Sequence, residues 1–149
     1  MFHKPFEVYL LCLLLLLLSL SAFYGGGALI LKPDGSLLQM EPWLNEIPFP
    51  NYLIPGIILF VMNGLLPLLA LIGLLFRPKW EILNRLNVYN NCHWAWTFSL
   101  YSGIICIAWI IAQQFLTQYF IAQPIVALAG LLIIVFSLMP RLMKHYQMA

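Results

Sequence analysis

The chain has 149 residues, of which 63% are hydrophobic and 8% charged, with a formal net charge of +2. Soluble domains are about half apolar and about a quarter charged, and no water-soluble fold of this length can hide so much apolar surface. The charges are too few and too scattered for a nucleic-acid surface, so the solvent that remains is lipid.

The first predicted element is an apolar span from about Phe6 to Phe23, built around the leucine run Leu13 to Leu18. Its start, His3-Lys4 before an apolar core and Ser19-Leu20-Ser21, also has the outline of a signal peptide. The core continues through Ala22 and Phe23, and Glu7 is out of place in a basic leader, so a retained membrane helix is the expected reading. Gly25-Gly26-Gly27 is expected to end this helix and permit a sharp exit.

A connector from Gly25 to Leu53 follows, far longer than two antiparallel helices need. Lys32-Pro33-Asp34-Gly35-Ser36 is turn chemistry: proline fixes φ, Asp tolerates the bend and glycine supplies positive φ. Ala28 to Leu31 and Leu37 to Met40 flank it, a pattern that predicts a short β-hairpin lying over the outer mouth of the helices. Pro42 to Glu46 suits one helical turn. Pro42, Pro48 and Pro50 stiffen the rest, and Asn51 is placed to cap the next helix.

Three more spans are predicted, from about Ile54 to Phe76, Trp94 to Phe115 and Pro124 to Leu142. A membrane helix needs about 20 mostly apolar residues, and in lipid the backbone must satisfy itself within each helix. The expected fold is therefore an all-α membrane protein: a single transmembrane domain over residues 1–149, a four-helix bundle carrying an extracytoplasmic hairpin or lid between helices 1 and 2. Lys4, Arg77, Lys79, Arg85, Arg141 and Lys144 fall on one side of that topology and only Lys32 on the other. The positive-inside rule then puts both termini in the cytoplasm. Trp80, Tyr89, Trp94 and Trp96 are expected at the inner boundary, and Trp43, Tyr52, Tyr119 and Phe120 at the outer one.

The arrangement Gly26-Gly27, Pro33-Asp34-Gly35-Ser36, Pro48-Phe49, Tyr52-Leu53 and Pro55-Gly56, with Gln123-Pro124 and Gly130 later on, resembles a set of small bacterial membrane proteins with four predicted spans. The resemblance implies a multi-pass protein of the bacterial inner membrane. It implies no activity, because none of these motifs is catalytic.

Chemistry-bearing residues are sparse. Cys12, Cys92 and Cys106 form no C-x-x-C pair, and the lone neighbours Cys92 and His93 cannot make a tetrahedral site. No catalytic constellation, phosphate-binding glycine loop, cofactor motif or metal motif is present. Glu7, at the inner start of the first span, is expected to reach the interface or pair with a base. Asn63 falls near mid-bilayer, where an amide needs a partner: either another helix or a ligand. Gly64 beside it permits close approach, and Pro67 frees a carbonyl and is a kink point. Gln113, Gln114, Thr117, Gln118 and Gln123 gather near the outer end. Ser21/Gly25 and Ser99/Gly103 are small-xxx-small pairs for helix contacts.

The candidate ligand-binding residues are Trp43, Phe49, Asn63, Gln113 and Gln114. The expected function is a non-enzymatic one: binding a lipid or other apolar ligand, or serving as accessory subunit to a larger membrane complex or homo-oligomer. The alternatives are a small enzyme acting on a lipid-like substrate through Asp34, Glu41 or Glu46, and, more weakly, an oligomeric transporter of a neutral solute.

Overall fold

A computed structural model describes residues 4–148; His3 lies outside them. Helix α1 (Phe6–Leu31) is followed by two 3-10 turns, Ser36–Leu38 and Glu41–Glu46. Next come α2 (Leu53–Phe76), the short α3 (Glu81–Arg85), α4 (Trp94–Leu116), α5 (Ala122–Ser137) and α6 (Pro140–Tyr146). Three helices are long and apolar enough to cross a membrane, and the bent pair α5–α6 makes a fourth if counted as one span. That set is compatible with a multi-pass membrane protein.

No strand is present among the described residues, so the predicted hairpin does not form. Its first arm, Ala28 to Leu31, is instead the last turn of α1, a helix of 26 residues. The three glycines do not terminate α1, for a reason found on the neighbouring helix. A Cβ on Gly26 would come within 2.8 Å of both Gly56 O and Phe60 N, and one on Gly56 within 2.8 Å of Leu29 Cβ. Glycine is required here because two helix backbones touch, the small-residue packing that membrane helices use without a hydrophobic driving force between them.

Below this crossing, the buried stripe of α1 (Val8, Leu11, Leu15, Leu18, Ala22) repeats every three or four residues and faces the other helices. In α2 the segment Leu59–Leu65 is π-helical, and Leu66 N–H reaches back to Val61 O. The cause is two residues further on. Pro67 has no N–H for the carbonyl of Asn63 and its ring crowds that carbonyl, so the expected kink is absorbed as a widened turn.

Between α4 and α5 the contact is again glycine-mediated: a Cβ on Gly103 would lie 2.9 Å from Gly130 O. Ser99 and Ser137 hydroxyls meet at 3.2 Å across the same pair. The fourth span departs from expectation. It breaks between α5 and α6, which meet at 65°. Pro140 opens α6 and cannot donate to the end of α5. The carbonyl of Ser137, the last residue of α5, accepts the Trp96 indole N–H at 2.7 Å.

One end of the bundle gathers both termini. Lys4 Nζ donates to Leu75 O, and Arg141 pairs with Glu7 at 3.5 Å. The Arg77 guanidinium donates to His145 O and lies 4.5 Å from the Tyr146 ring centroid. The C-terminal segment is latched to the α3–α4 connector: His93 N–H donates to Tyr146 O, Met148 N–H to Asn91 O, and Cys92 bridges Gln147. Trp94 and Trp96, expected at the boundary as anchors, are instead buried core residues, while Trp80 and Tyr89 stay about half exposed.

His93 is not a solvated interfacial residue. Its Nδ1 accepts the Ala95 N–H as the N-cap of α4, and its Nε2 is buried. Burial, with the nearby Arg77 charge, lowers its pKa below the ordinary histidine value. A base whose folded pKa is lowered leaves the unfolded chain binding more protons, so the stability it contributes is present above about pH 6.5 and is lost as pH falls. Thermal unfolding of wild type should therefore drop in temperature from pH 7.5 to 5.5. Replacing His93 by Asn, a capping residue without a titration, should flatten that slope, and an unchanged slope would contradict the assignment.

The glycine crossing makes a second test. Gly26→Ala must push two backbones apart and should destabilise by about 1–3 kcal/mol, as overpacking does. At Gly27 the nearest atom to an added Cβ is Phe60 Cε2 at 4.0 Å. Gly27→Ala should thus be neutral or stabilise by up to about 1 kcal/mol through helix propensity. Comparative melting of the two variants in one detergent reads the difference; equal effects would disprove the contact.

Candidate functional site: a roofed cavity at the connector end of the bundle

The roof is the connector from Lys32 to Tyr52. Asp34 Oδ1 accepts the Ser36 N–H at 3.0 Å, which closes the turn and holds the Asp34 carboxyl below the usual carboxylate range. Gly35 takes φ +81° and its carbonyl accepts from both Leu38 and Met40 N–H. Gln39 adopts φ +57°, a left-handed conformation unusual outside glycine. The chain therefore winds through 3-10 turns where two strands were expected. The turn chemistry predicted around Gly35 is present, but with Ala28 to Leu31 held in α1 there is no partner strand.

Tyr52 pins the roof. Its ring is 2% exposed and packs with Leu29 and Ile47, ringed by Leu38, Met40, Leu44 and Phe49. Its N–H donates to Pro33 O at 2.8 Å and its hydroxyl to Met40 O at 3.1 Å. A Cβ on Gly35 would come within 2.9 Å of the same ring. Asn51 Oδ1 accepts the Leu53 N–H at the head of α2, as its position predicts. The Pro42 turn also forms, as the 3-10 segment Glu41–Glu46.

Beneath the roof lies a cavity of about 440 Å³, within the range of small-molecule sites. Leu18, Ala22 and Leu29 of α1 form one wall, and Trp109, Ile110 and Gln113 of α4 another. Phe120, Gln123 and Val126 close it from the α5 side, Leu59 and Asn63 from α2, and Leu38, Met40 and Trp43 from above. No acidic or basic side chain lines it. Asp34, Glu41 and Glu46 are outside it, and among the described residues no cluster of His, Cys, Asp and Glu could hold a metal ion.

Of the five residues singled out in the sequence, the fold brings Trp43, Asn63 and Gln113 to this cavity. Phe49 belongs to the roof's own small core. Gln114 turns away from the cavity and donates its Nε2 to Gln123 Oε1 at 2.8 Å. Gln123, 1% exposed, also accepts from Phe120 N–H and donates to Thr117 Oγ1, tying the α4–α5 turn. The wall residues of α1 and Trp109 escaped the sequence reading. Trp109 stands four residues before Gln113, on the same helix face, so following that face inward from Gln113 would have found it.

Asn63 is the unusual group. It is 1% exposed, and among the described residues neither Nδ2 nor Oδ1 has a hydrogen-bond partner. Its neighbour's carbonyl, Gly64 O, is taken by Ser19 Oγ at 2.8 Å, and Ser21 Oγ is used by Leu18 O. The hydroxyls of α1 thus bond to backbone and leave the amide bare. A buried unsatisfied polar group destabilises by about 1–3 kcal/mol. Interhelical glue, one of the two roles expected for this amide, has no bond to support it.

Comparison of the chain with protein-family models, with curated proteins and with solved structures finds no match in any of the three.

The roof should come loose when its pin is cut. Tyr52→Ala removes the buried ring and the hydroxyl bond to Met40 O while keeping the backbone N–H bond to Pro33 O; hydrogen exchange across residues 33–51 should rise well above wild type. Tyr52→Phe keeps the ring and should give a small rise only. Equal protection in Tyr52→Ala and wild type would show that the roof is held by something else.

Proposed function

We propose that this chain is a small multi-pass membrane protein that holds a lipid or another apolar molecule in the roofed cavity. In this reading the charged end with both termini faces the cytoplasm, and the Tyr52-pinned roof lies on the outer face. The resemblance to four-span bacterial proteins favours an inner-membrane location. The protein acts by binding, alone or as the accessory subunit of a larger complex.

The observation that carries this reading is the cavity itself: apolar walls from α1, α2, α4 and α5, a few uncharged polar groups, and an ordered cover. Ligand sites have that composition. An enzyme using outer-loop carboxylates has less support, because Asp34, Glu41 and Glu46 do not reach the cavity.

Native mass spectrometry of gently extracted protein tests the proposal. Wild type should retain bound lipid. Ala22→Trp and Val126→Trp, which fill the cavity from opposite walls, should both lose it. Retention equal to wild type in both variants would place any bound lipid on the outer surface and refute the reading.

A further inference from the structure

We infer that the occupant is an uncharged acyl lipid bearing a hydroxyl and an ester carbonyl, of the mono- or diacylglycerol kind, and that Asn63 selects it by its head group. This rests on the binding reading of the cavity and adds the chemistry of the ligand. Asn63 offers an N–H₂ donor and a carbonyl acceptor from one planar group, and neither is used by the protein among the described residues. The matching ligand presents an acceptor and a donor close together, as a glycerol hydroxyl beside an ester carbonyl does.

The position of the amide strengthens the case. It sits in the π-helical stretch of α2, ten residues in from Leu53, hence about 15 Å along the helix. Such widened turns occur often where a helix serves a site. A second amide, Gln113, lines the same cavity from α4, and among the described residues its side chain makes no hydrogen bond. Apart from Ser21 and Gln123, which bond within the protein, the remaining lining is predominantly aliphatic and aromatic, suited to an acyl chain.

Charge decides against the commoner membrane lipids. A phosphate or carboxylate drawn into this space would be desolvated with no cation to meet it, and a buried unpaired charge is strongly disfavoured. A hydrocarbon without polar atoms would fit but would leave Asn63 bare.

The test uses the full chain in mild detergent and two probes that share an oleoyl chain: mono-oleoylglycerol and dioleoylphosphatidylglycerol. By native mass spectrometry, wild type should retain the monoacylglycerol in preference to the anionic lipid. Asn63→Leu, close in volume but without hydrogen-bonding atoms, should lose that preference by about tenfold, the equivalent of one to two hydrogen bonds. Delipidated Asn63→Leu should also melt no lower than delipidated wild type, because the substitution removes an unpaired buried amide. Unchanged retention in Asn63→Leu, or a lower melting temperature without lipid, would overturn the inference and leave the cavity reading standing. Full mono-oleoylglycerol retention in Ala22→Trp would instead bring down the cavity reading itself.

Discussion

The architecture depends on one backbone-to-backbone contact, Gly26 of α1 against Gly56 of α2. It occurs at the end of α1 that leads into the connector, where the helix has run well past the predicted exit, and it packs that half of α1 on α2. Lower down the helices share one core, in which Leu11 and Leu15 of α1 cluster with Ile133 of α5. Higher up, a wall of α1 and a wall of α5 face each other across open space. The cavity follows from a choice of packing partner, made by two residues that lack side chains.

The connector then closes what the helices leave open. Its order comes from Tyr52, which serves as ring, donor and acceptor-seeking hydroxyl within one turn of the start of α2. The roof and the crossing are mechanically joined, since Leu29 packs against Tyr52 on one side and against Gly56 on the other. In and around the cavity, the hydroxyls of Ser19 and Ser21 and the amides of Gln114 and Gln123 find partners in the protein. Asn63 does not. That bare amide is the group from which the polarity of the proposed ligand is argued.

The sequence made the broad architecture legible for strong physical reasons. Lipid solvent demands long apolar helices, and α1, α2 and α4 begin within a residue of where hydropathy places them. The Asp34–Gly35 turn, the Pro42 helical turn and the Asn51 cap are local chemistry and were readable for that reason. What failed was anything decided by a distant partner. Gly25-Gly26-Gly27 has the composition of a helix stop, and only Gly56, thirty residues on from Gly26, explains why the helix continues. The hairpin was lost with it. Pro140 was visible as a breaker, yet the span was carried through it to Leu142, because the carbonyl acceptor role of Ser137 requires knowing where Trp96 lies. Of the candidate binding residues, Trp43, Asn63 and Gln113 line the cavity, while Gln114 pairs with Gln123 and Phe49 packs in the roof's core, since an apolar residue in a loop can face a cavity or a local core equally well.

The most direct test of the central claim is a solid-state NMR measurement in bilayers, with asparagine side chains labelled with ¹⁵N and acylglycerol labelled with ¹³C in its glycerol carbons. The account predicts one side-chain amide resonance in through-space contact with those carbons, and its loss in Asn63→Leu. An Asn63 amide that contacts only protein carbons, with α1 resting against α5 beneath the connector, would contradict it.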